Sequence, residues 1–342
     1  MPGTKHPTLE LANFALERGG LLTPARLAYQ THGSLLPDKS NAVLSPTWFA
    51  GDHTANEWLI GPGRPLDTDR YFVIVPNLFG NGVSSSPSNT PEPNAAADFP
   101  DVTVRDNVRA QYHLVHDHFG IERLQLVVGC SMGALQTYQW AVSHPDMVAR
   151  ALPFCGSPKT APHNRVFIEG LRAVLTAAPG AREGRHAPGH AAALRAFARV
   201  YAGWGFSQAF YWNERHRELG FASLDDFLTG FWEANFAGQD INDLLAMLWT
   251  WQHADVGTTE GHDGDVTKAL AAITARVIAL PAQKDLYFPP EDEKWASSHI
   301  TNGSVEVIPG EWGHLTGGGA DSAGARFIGD AIRRLLDAPV AN

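Results

Sequence analysis

The feature of this sequence that most constrains its fold is an apolar run that ends in a Gly-Cys-Ser-Met-Gly motif. Residues 124–128 have the composition of a buried strand, and the motif at 129–133 leads at once into helix-forming residues at 135–144. So tight a turn from strand to helix brings the two glycine backbones together, where a side chain would clash. It leaves Ser131 at the crest of the turn, with its hydroxyl above the helix N-terminus. In this context the motif predicts a nucleophilic serine.

Short apolar runs on both sides of the motif predict strands that are buried on both faces of a parallel sheet. They are residues 41–46, 71–75, 149–154, 275–282 and 305–308. Helical patterns at 104–119, 135–144 and 325–336 alternate with them. This order implies right-handed crossovers and a doubly wound α/β sheet. Residues 9–17 and 25–32 are expected to form an N-terminal hairpin.

A long segment between the strands at 149–154 and 275–282 has a different character. Strand-like runs are scarce there, and aromatic residues are dense between Tyr201 and Trp232. An aromatic stripe at helical spacing is typical of core packing, and it also suits the roof of a pocket. Residues 179–189, rich in glycine and proline, are expected to form a mobile loop. The predicted organisation is a core of residues 1–157 and 263–342 with an inserted helical lid of residues 158–262.

Two loops late in the chain hold residues that could activate Ser131. A serine needs a base in contact with it and a third group that orients the base. In doubly wound sheets the chain order is Ser, then Asp or Glu, then His, each beyond the carboxyl end of a strand. Asp285 follows the strand at 275–282, and His314 follows the strand at 305–308. We therefore predict a triad in which His314 takes the Ser131 proton and Asp285 fixes the imidazole tautomer, during attack on an ester or thioester carbonyl.

Other acids and bases fit these roles less well. The acids at 291–292 follow a proline pair and are expected to begin a helix, and His299 lies before the last strand rather than after it. His113, His116 and Asp117 share one helix face, a pattern compatible with a metal site. Histidines and acids on a helix are more commonly a solvated face, and we expect no metal.

An acyl-transfer reaction also needs donors for the oxyanion of the tetrahedral intermediate. Removal of one such N–H typically costs about 3–4 kcal/mol. The first expected donor is the backbone of Met132, directly after the nucleophile. The second is expected in the loop after the strand at 41–46, where we assign Phe49, with Ala50 as the alternative.

Composition limits the partners and the compartment. The 342 residues carry a formal net charge of −10 without a lysine- or arginine-rich tract, so a nucleic-acid partner is not expected. Two cysteines fit a reducing compartment better than a disulfide framework. The absence of a signal-like or membrane-spanning apolar stretch predicts a cytoplasmic protein that does not bind membranes. Because no glycine-rich phosphate-binding loop follows a strand, we expect small-molecule partners and no bound cofactor.

Several longer stretches match a known family. They are Phe14-Ala-Leu-Glu-Arg-Gly-Gly-Leu-Leu, Leu27-Ala-Tyr-Gln-Thr-His-Gly, Ser40-Asn-Ala-Val-Leu, Ile60-Gly-Pro-Gly-Arg-Pro-Leu-Asp-Thr-Asp-Arg-Tyr-Phe-Val-Ile, Val104-Arg-Asp-Asn-Val-Arg-Ala-Gln and Gly129-Cys-Ser-Met-Gly-Ala-Leu-Gln. With them the sequence resembles the homoserine O-acetyltransferase family of the α/β-hydrolase superfamily, over nearly its whole length outside the insertion. The resemblance implies an α/β-hydrolase fold with a helical lid, often with a homodimer through that lid. It also implies an acyl-enzyme on Ser131, loaded from acetyl-CoA, with Asp285 and His314 at the other triad positions.

The sequence departs from that family beside the catalytic histidine. The family usually has an aspartate at the next position, placed to meet the ammonium group of the amino acid, and Leu315 stands there instead. We therefore predict a serine acyltransferase that moves an acyl group, such as acetyl, from acyl-CoA to a hydroxyl acceptor that is not necessarily homoserine. The alternative is an esterase or thioesterase, in which water resolves the same acyl-enzyme. Transfer requires an acceptor held dry against the intermediate, whereas hydrolysis requires only water.

Overall fold

The strands of the protein follow the apolar runs of the sequence. The computed structural model describes residues 6–177 and 190–339, so the loop expected at 179–189 lies outside the described residues. In chain order the strands are β1 (Thr8–Leu11), β2 (Phe14–Ala15), β3 (Leu21–Leu22), β4 (Ala25–His32), β5 (Ala42–Leu44), β6 (Phe72–Pro76), β7 (Leu126–Cys130), β8 (Arg150–Phe154), β9 (Arg276–Ala279) and β10 (Gly303–Val305).

From β6 onward the α-helices alternate with the strands, except for a long helical block between β8 and β9. They are α1 (Val104–Tyr112), α2 (Met132–Ser143), α3 (Pro162–Thr176), α4 (His190–Gly205), α5 (Gln208–Trp212), α6 (Leu224–Phe227), α7 (Ala234–Phe236), α8 (Ile241–Gln252), α9 (Val266–Ala271), α10 (Pro290–Ser297) and α11 (Ser322–Asp337). Two π-helical segments, His113–His118 and Leu228–Glu233, continue α1 and α6. Short 3₁₀ helices are at His53–Leu59, Ala96–Asp98, Arg215–Leu219, Val256–Thr258 and Gly313–Gly318.

Eight of the described strands form one large sheet with the order β1-β4-β6-β5-β7-β8-β9-β10, and β2 and β3 form a separate two-stranded sheet. All pairings from β6 to β10 are parallel, and β1 and β4 add an antiparallel edge. Every residue of β5, β6, β7 and β8 is buried, as a parallel sheet covered on both faces requires. The expected doubly wound α/β-hydrolase fold is confirmed.

Alternate residues of the central strands belong to different layers of the core. Val127 packs into a cluster with Val108 of α1 and Trp140 of α2, on one face of the sheet. Its neighbours Leu126 and Val128 pack on the opposite face, in a cluster that includes residues of α11. The two-residue period of a strand sends successive side chains to opposite faces, so the sheet is sandwiched between helices.

Two expectations about strands need correction. Residues 9–17 and 25–32 do not form a single hairpin, because only Thr8–Leu11 pairs with β4 while β2 turns back and pairs with β3. The last strand is β10, which ends at Val305 rather than running over 305–308. Beyond it the chain rejoins the sheet only through an isolated bridge between Ala282 and Ile308, so the pairing there is too short for a strand.

The helices α3 to α8 occupy the region expected to be a lid. Their aromatic residues form a third core cluster, and that cluster also takes in Tyr287, Phe288 and Trp312 from loops beyond β9 and β10. The helical block therefore packs over the carboxyl edge of the sheet. No helix in the described ranges 6–177 and 190–339 is long and apolar enough to cross a membrane. The boundaries 158 and 262 stay a prediction.

Candidate active site

Ser131 lies at the turn between β7 and α2, with φ 55° and ψ −120°. A Cβ atom on Gly129 would lie 2.4 Å from the carbonyl carbon of Gly133, so the two motif glycines do approach as expected. The Ser131 N–H donates to the carbonyl of Phe154 at the end of β8, 3.0 Å away. These contacts hold the serine in a conformation that L-residues rarely adopt.

Asp285 and His314 come together, although they are 29 positions apart in the sequence. Nδ1 of His314 lies 2.8 Å from Oδ2 of Asp285, and both side chains are buried. The other carboxylate oxygen of Asp285 accepts the N–H groups of Tyr287, at 2.8 Å, and Phe288, at 3.0 Å. A carboxylate facing Nδ1 favours the tautomer with the proton on that nitrogen, which leaves Nε2 free to act as a base. The Tyr287 ring packs against the imidazole with centroids 4.6 Å apart.

Ser131 and His314 line the same cavity, which measures about 210 Å³. Asp285 is 4% exposed and lies behind the imidazole. The other lining residues come from the loop after β5, the end of β7, the helical block and the loop after His314. They are Trp48, Phe49, Ala50, Cys130, Tyr201, Phe231, Trp232, Asn235, Phe236, Leu315 and Gly318. The structure therefore brings the three predicted triad residues to one edge of the sheet.

The residues assigned to the oxyanion hole lie beside this cavity. Phe49 and Ala50 both line it, in a turn closed by a 3.1 Å bond from the Gly51 N–H to the Trp48 carbonyl. Ala50 has φ 58°, a left-handed conformation. Met132 begins α2, where the peptide N–H groups have no partner within the helix. The choice between Phe49 and Ala50 stays a prediction.

The rival residues lie elsewhere. The acids at 291–292 belong to the first turn of α10, as expected, and Nδ1 of His299 lies 2.8 Å from the Trp295 carbonyl oxygen. Nδ1 of His113 and of His116 lies 2.6 and 2.7 Å, respectively, from the oxygens of Asp117. Among the residues that the structure describes, no group of three or more His, Cys, Asp or Glu side chains is arranged to hold a metal.

Sequence reasoning did not identify the cavity residues of the helical block one by one. Tyr201, Trp232 and Phe236 line the cavity, whereas Phe206 and Phe210 pack away from it. The dense aromatic residues between Tyr201 and Trp232 predicted both core packing and the roof of a pocket. They did not show which residue has which role. Burial raises the pKa of Tyr201 and that of Tyr287 above the usual value of a phenol, so both side chains stay neutral at neutral pH.

Comparison with known proteins places this geometry in a family. Residues 49–317 match the alpha/beta hydrolase fold family. The chain is 39% identical to the ethyl acetate hydrolase of Pseudomonas veronii over 340 residues, 98% of this chain and 97% of that one. The structure of an acetylester hydrolase from Corynebacterium glutamicum superposes with a TM-score of 0.94 at 36% identity, covering 98% of this chain and 96% of the other. A homoserine O-acetyltransferase from Rhodopseudomonas palustris (strain BisB18) is 31% identical over 338 residues, 88% of this chain and 84% of that one. The chain is therefore an enzyme of the alpha/beta hydrolase family, with acetyl ester hydrolases and homoserine O-acetyltransferases among its homologues.

Proposed function

We propose that this enzyme hydrolyses small, uncharged acetyl esters through an acyl-enzyme on Ser131. The observation that carries the proposal is the cavity shared by Ser131 and His314. Its volume of about 210 Å³ is below the range of about 300–1,000 Å³ usual for drug-sized ligands. Its walls are mainly aromatic and aliphatic, with Asn235 as an added polar group. Such a site suits a small apolar acyl group and a short alcohol.

The proposed mechanism assigns a role to each residue of the site. Nε2 of His314 takes the proton from Ser131 as the hydroxyl attacks the ester carbonyl, and Asp285 stabilises the imidazolium. The Met132 N–H and the Phe49 N–H receive the oxyanion. Collapse of the intermediate breaks the bond to the alcohol, which leaves with the proton from His314. Water, deprotonated by His314, then attacks the acetyl-enzyme and releases acetate.

The lining of the cavity favours hydrolysis over the acyl-CoA transfer that we first predicted from the sequence. Among the described lining residues there is no lysine or arginine to meet the phosphates of coenzyme A. There is likewise no aspartate or glutamate to meet an ammonium group, and Leu315 lies on the cavity wall. The relative named for ethyl acetate hydrolysis is also more similar, at 39% identity, than the acetyltransferase, at 31%. The alternative is therefore better supported than the transferase prediction.

Purified enzyme would decide between the two reactions. Acid release from ethyl acetate is followed in a pH-stat, and thiol release from acetyl-CoA is followed with and without homoserine and simple alcohols. We expect the enzyme to hydrolyse ethyl acetate at a rate that added alcohols do not change. Thiol release that depends on an alcohol, together with the acetylated alcohol as product, would instead establish a transferase.

The helical block has a defined part in this proposal. Helices α4 and α7, with the π-helical segment between α6 and α7, supply the roof of the cavity through Tyr201, Trp232 and Phe236. We therefore keep residues 158–262 as the lid. The homodimer through that lid, the absence of a bound cofactor and the cytoplasmic location remain predictions.

A further inference from the structure

A second cavity, of about 620 Å³, lies at the opposite edge of the sheet from Ser131. It opens at the amino ends of β8 and β9, whose first residues, Arg150 and Arg276, both line it. Arg123 also lines it, just before the bridge that pairs Leu124 with Val148. The catalytic residues follow the carboxyl ends of the strands, so this cavity is separate from the site described above.

The three arginines are placed where they repel one another. Arg150 and Arg276 are direct partners in the register of β8 and β9, and like charges opposite one another destabilise a sheet. One carboxylate, that of Asp146, lines the same cavity. Among the described residues, no ion pair forms at Arg123, Arg150 or Arg276. The cavity therefore carries an excess of two positive charges on a chain whose net charge is −10.

Of the three arginines, Arg150 is the most costly to keep charged, because it is only 4% exposed. Its Nη1 donates to the carbonyl and side-chain oxygens of Gln125, at 3.3 and 3.1 Å, and its Nη2 donates to the carbonyl of Ala338. These acceptors are neutral. Its Nε is buried and has no hydrogen-bond partner within the described structure. Burial, with Arg123 and Arg276 nearby, lowers the pKa of Arg150, and the Tyr71 hydroxyl offsets this in part. A buried cation without a counter-charge is costly.

We propose that this cavity, which we call the arginine pocket, binds a phosphate dianion carried by a small molecule. A guanidinium group presents paired N–H donors that match the oxygens of phosphate. A phosphomonoester carries a charge of about −1.5 to −2 at pH 7, which matches the excess of two positive charges. The volume of about 620 Å³ exceeds that of a bare phosphate ion and leaves room for an organic group.

The test is calorimetric titration of the purified enzyme with inorganic phosphate at constant ionic strength, set with potassium chloride. The double variant Arg123→Gln/Arg276→Gln removes two exposed guanidinium groups that make no ion pair in the described structure, so it should fold. The matched control Arg165→Gln/Arg326→Gln makes the same charge change at two exposed arginines outside the pocket.

We expect wild type and control to bind phosphate at one site per chain, and the double variant to bind at least tenfold more weakly. No binding by wild type, or equal binding by both double variants, would overturn the proposal.

A second titration compares glucose 6-phosphate with citrate. Binding of the phosphomonoester at least as tight as that of inorganic phosphate supports the assignment, whereas tighter binding of citrate refutes it. The test measures phosphate binding and not ester hydrolysis. Its outcome is therefore independent of the proposed function.

Discussion

At the scale of single residues, the conformation of Ser131 has the clearest link to function. Its φ of 55° and ψ of −120° lie outside the common regions for L-residues. A residue held in this way typically costs on the order of 1–3 kcal/mol. The surrounding contacts impose the strain, and in this conformation Ser131 lines the cavity that His314 also lines. The strained backbone at Ser131 therefore lowers the stability of the protein while it positions the nucleophile.

Replacing Ser131 by glycine or by alanine should separate these two effects. Both variants lose the nucleophile, so kcat for ester hydrolysis should fall by about 10⁶-fold. Glycine adopts a positive φ without penalty, so Ser131→Gly should unfold with a free energy about 1 kcal/mol higher than Ser131→Ala. Urea denaturation of both variants measures the difference. Equal stabilities would show that the backbone at residue 131 is not strained, and retained hydrolysis would remove Ser131 from the mechanism.

Asp285→Asn should abolish most activity while leaving the loop in place. The amide oxygen of asparagine can still accept from the N–H groups of Tyr287 and Phe288, but its NH₂ group then faces Nδ1 of His314. That nitrogen must become an acceptor, so the proton moves to Nε2 and the base is lost. We expect kcat to fall by about 10⁴-fold with little change in stability. Asp292→Asn, which alters the rival acid on α10, is the control and should leave kcat unchanged. The opposite pattern would transfer the triad role to Asp292.

At the scale of elements, a buried contact joins the two helices nearest the catalytic loops. The Tyr138 hydroxyl on α2 donates to Oε2 of Glu293 on α10. Helix α2 begins directly after Ser131, and α10 begins shortly after the Asp285 loop. Both side chains are fully buried, and burial raises the pKa of Glu293 to about 8 and that of Tyr138 well above its usual value. The carboxyl group is therefore protonated at neutral pH.

Glu293 should make the stability of the enzyme fall as pH rises. Its folded-state pKa of about 8 lies above the ordinary value of 4.5. The stabilisation by the proton is therefore complete below about pH 4.5 and is lost as pH rises through about 8. The slope between these limits should approach about 1.4 kcal/mol per pH unit. Glu293→Gln mimics the neutral acid, so its free energy of unfolding should vary less with pH and exceed that of wild type at pH 8.

Denaturant unfolding between pH 5 and pH 9 tests this expectation. Glu291→Gln provides the matched control, since Glu291 is exposed on the same helix and pairs with Lys294 at 3.7 Å. That control should keep the pH dependence of the wild type. If Glu293→Gln and Glu291→Gln had the same pH dependence as wild type, Glu293 would have to be ionised in the folded protein at neutral pH.

The sequence predicts those elements whose signal is local. The apolar runs of β5 to β8 and the glycine motif around Ser131 each carry their own signal, so their structure could be read directly. Pairing depends on residues far apart in the chain, and so the β2–β3 hairpin and the short β10 were missed. Tyr201, Trp232 and Phe236 line the cavity because α4 and the segment before α8 pack together over Ser131. Helical periodicity marks their buried faces but does not say what those faces cover.

At the scale of the whole molecule, charge and cavity together restrict the substrates. The formal net charge of −10 creates a negative potential around the protein, and the described walls of the cavity that Ser131 and His314 line contain no lysine or arginine. Fields of this kind change association rates of charged ligands by about 10–10³-fold at low salt. We therefore expect a polyanionic acyl donor to be repelled during its approach and to meet no lysine or arginine on the described cavity walls.

A pair of thioesters with the same acetyl group should reveal this discrimination. Acetyl-CoA and a neutral acetyl thioester of similar leaving-group pKa differ chiefly in the phosphates of the coenzyme. At low ionic strength kcat/KM should be at least about tenfold lower for acetyl-CoA, because the phosphates meet the negative field. Added salt shortens the screening length to about 10 Å at 0.1 M and about 3 Å at 1 M, so the ratio should narrow as salt increases, while the neutral thioester changes little. The opposite result is a kcat/KM for acetyl-CoA that equals or exceeds that for the neutral thioester and that falls as salt is added. It would mean that a cationic surface outside the cavity recruits the coenzyme. Hydrolysis of small neutral esters would then no longer be the favoured assignment.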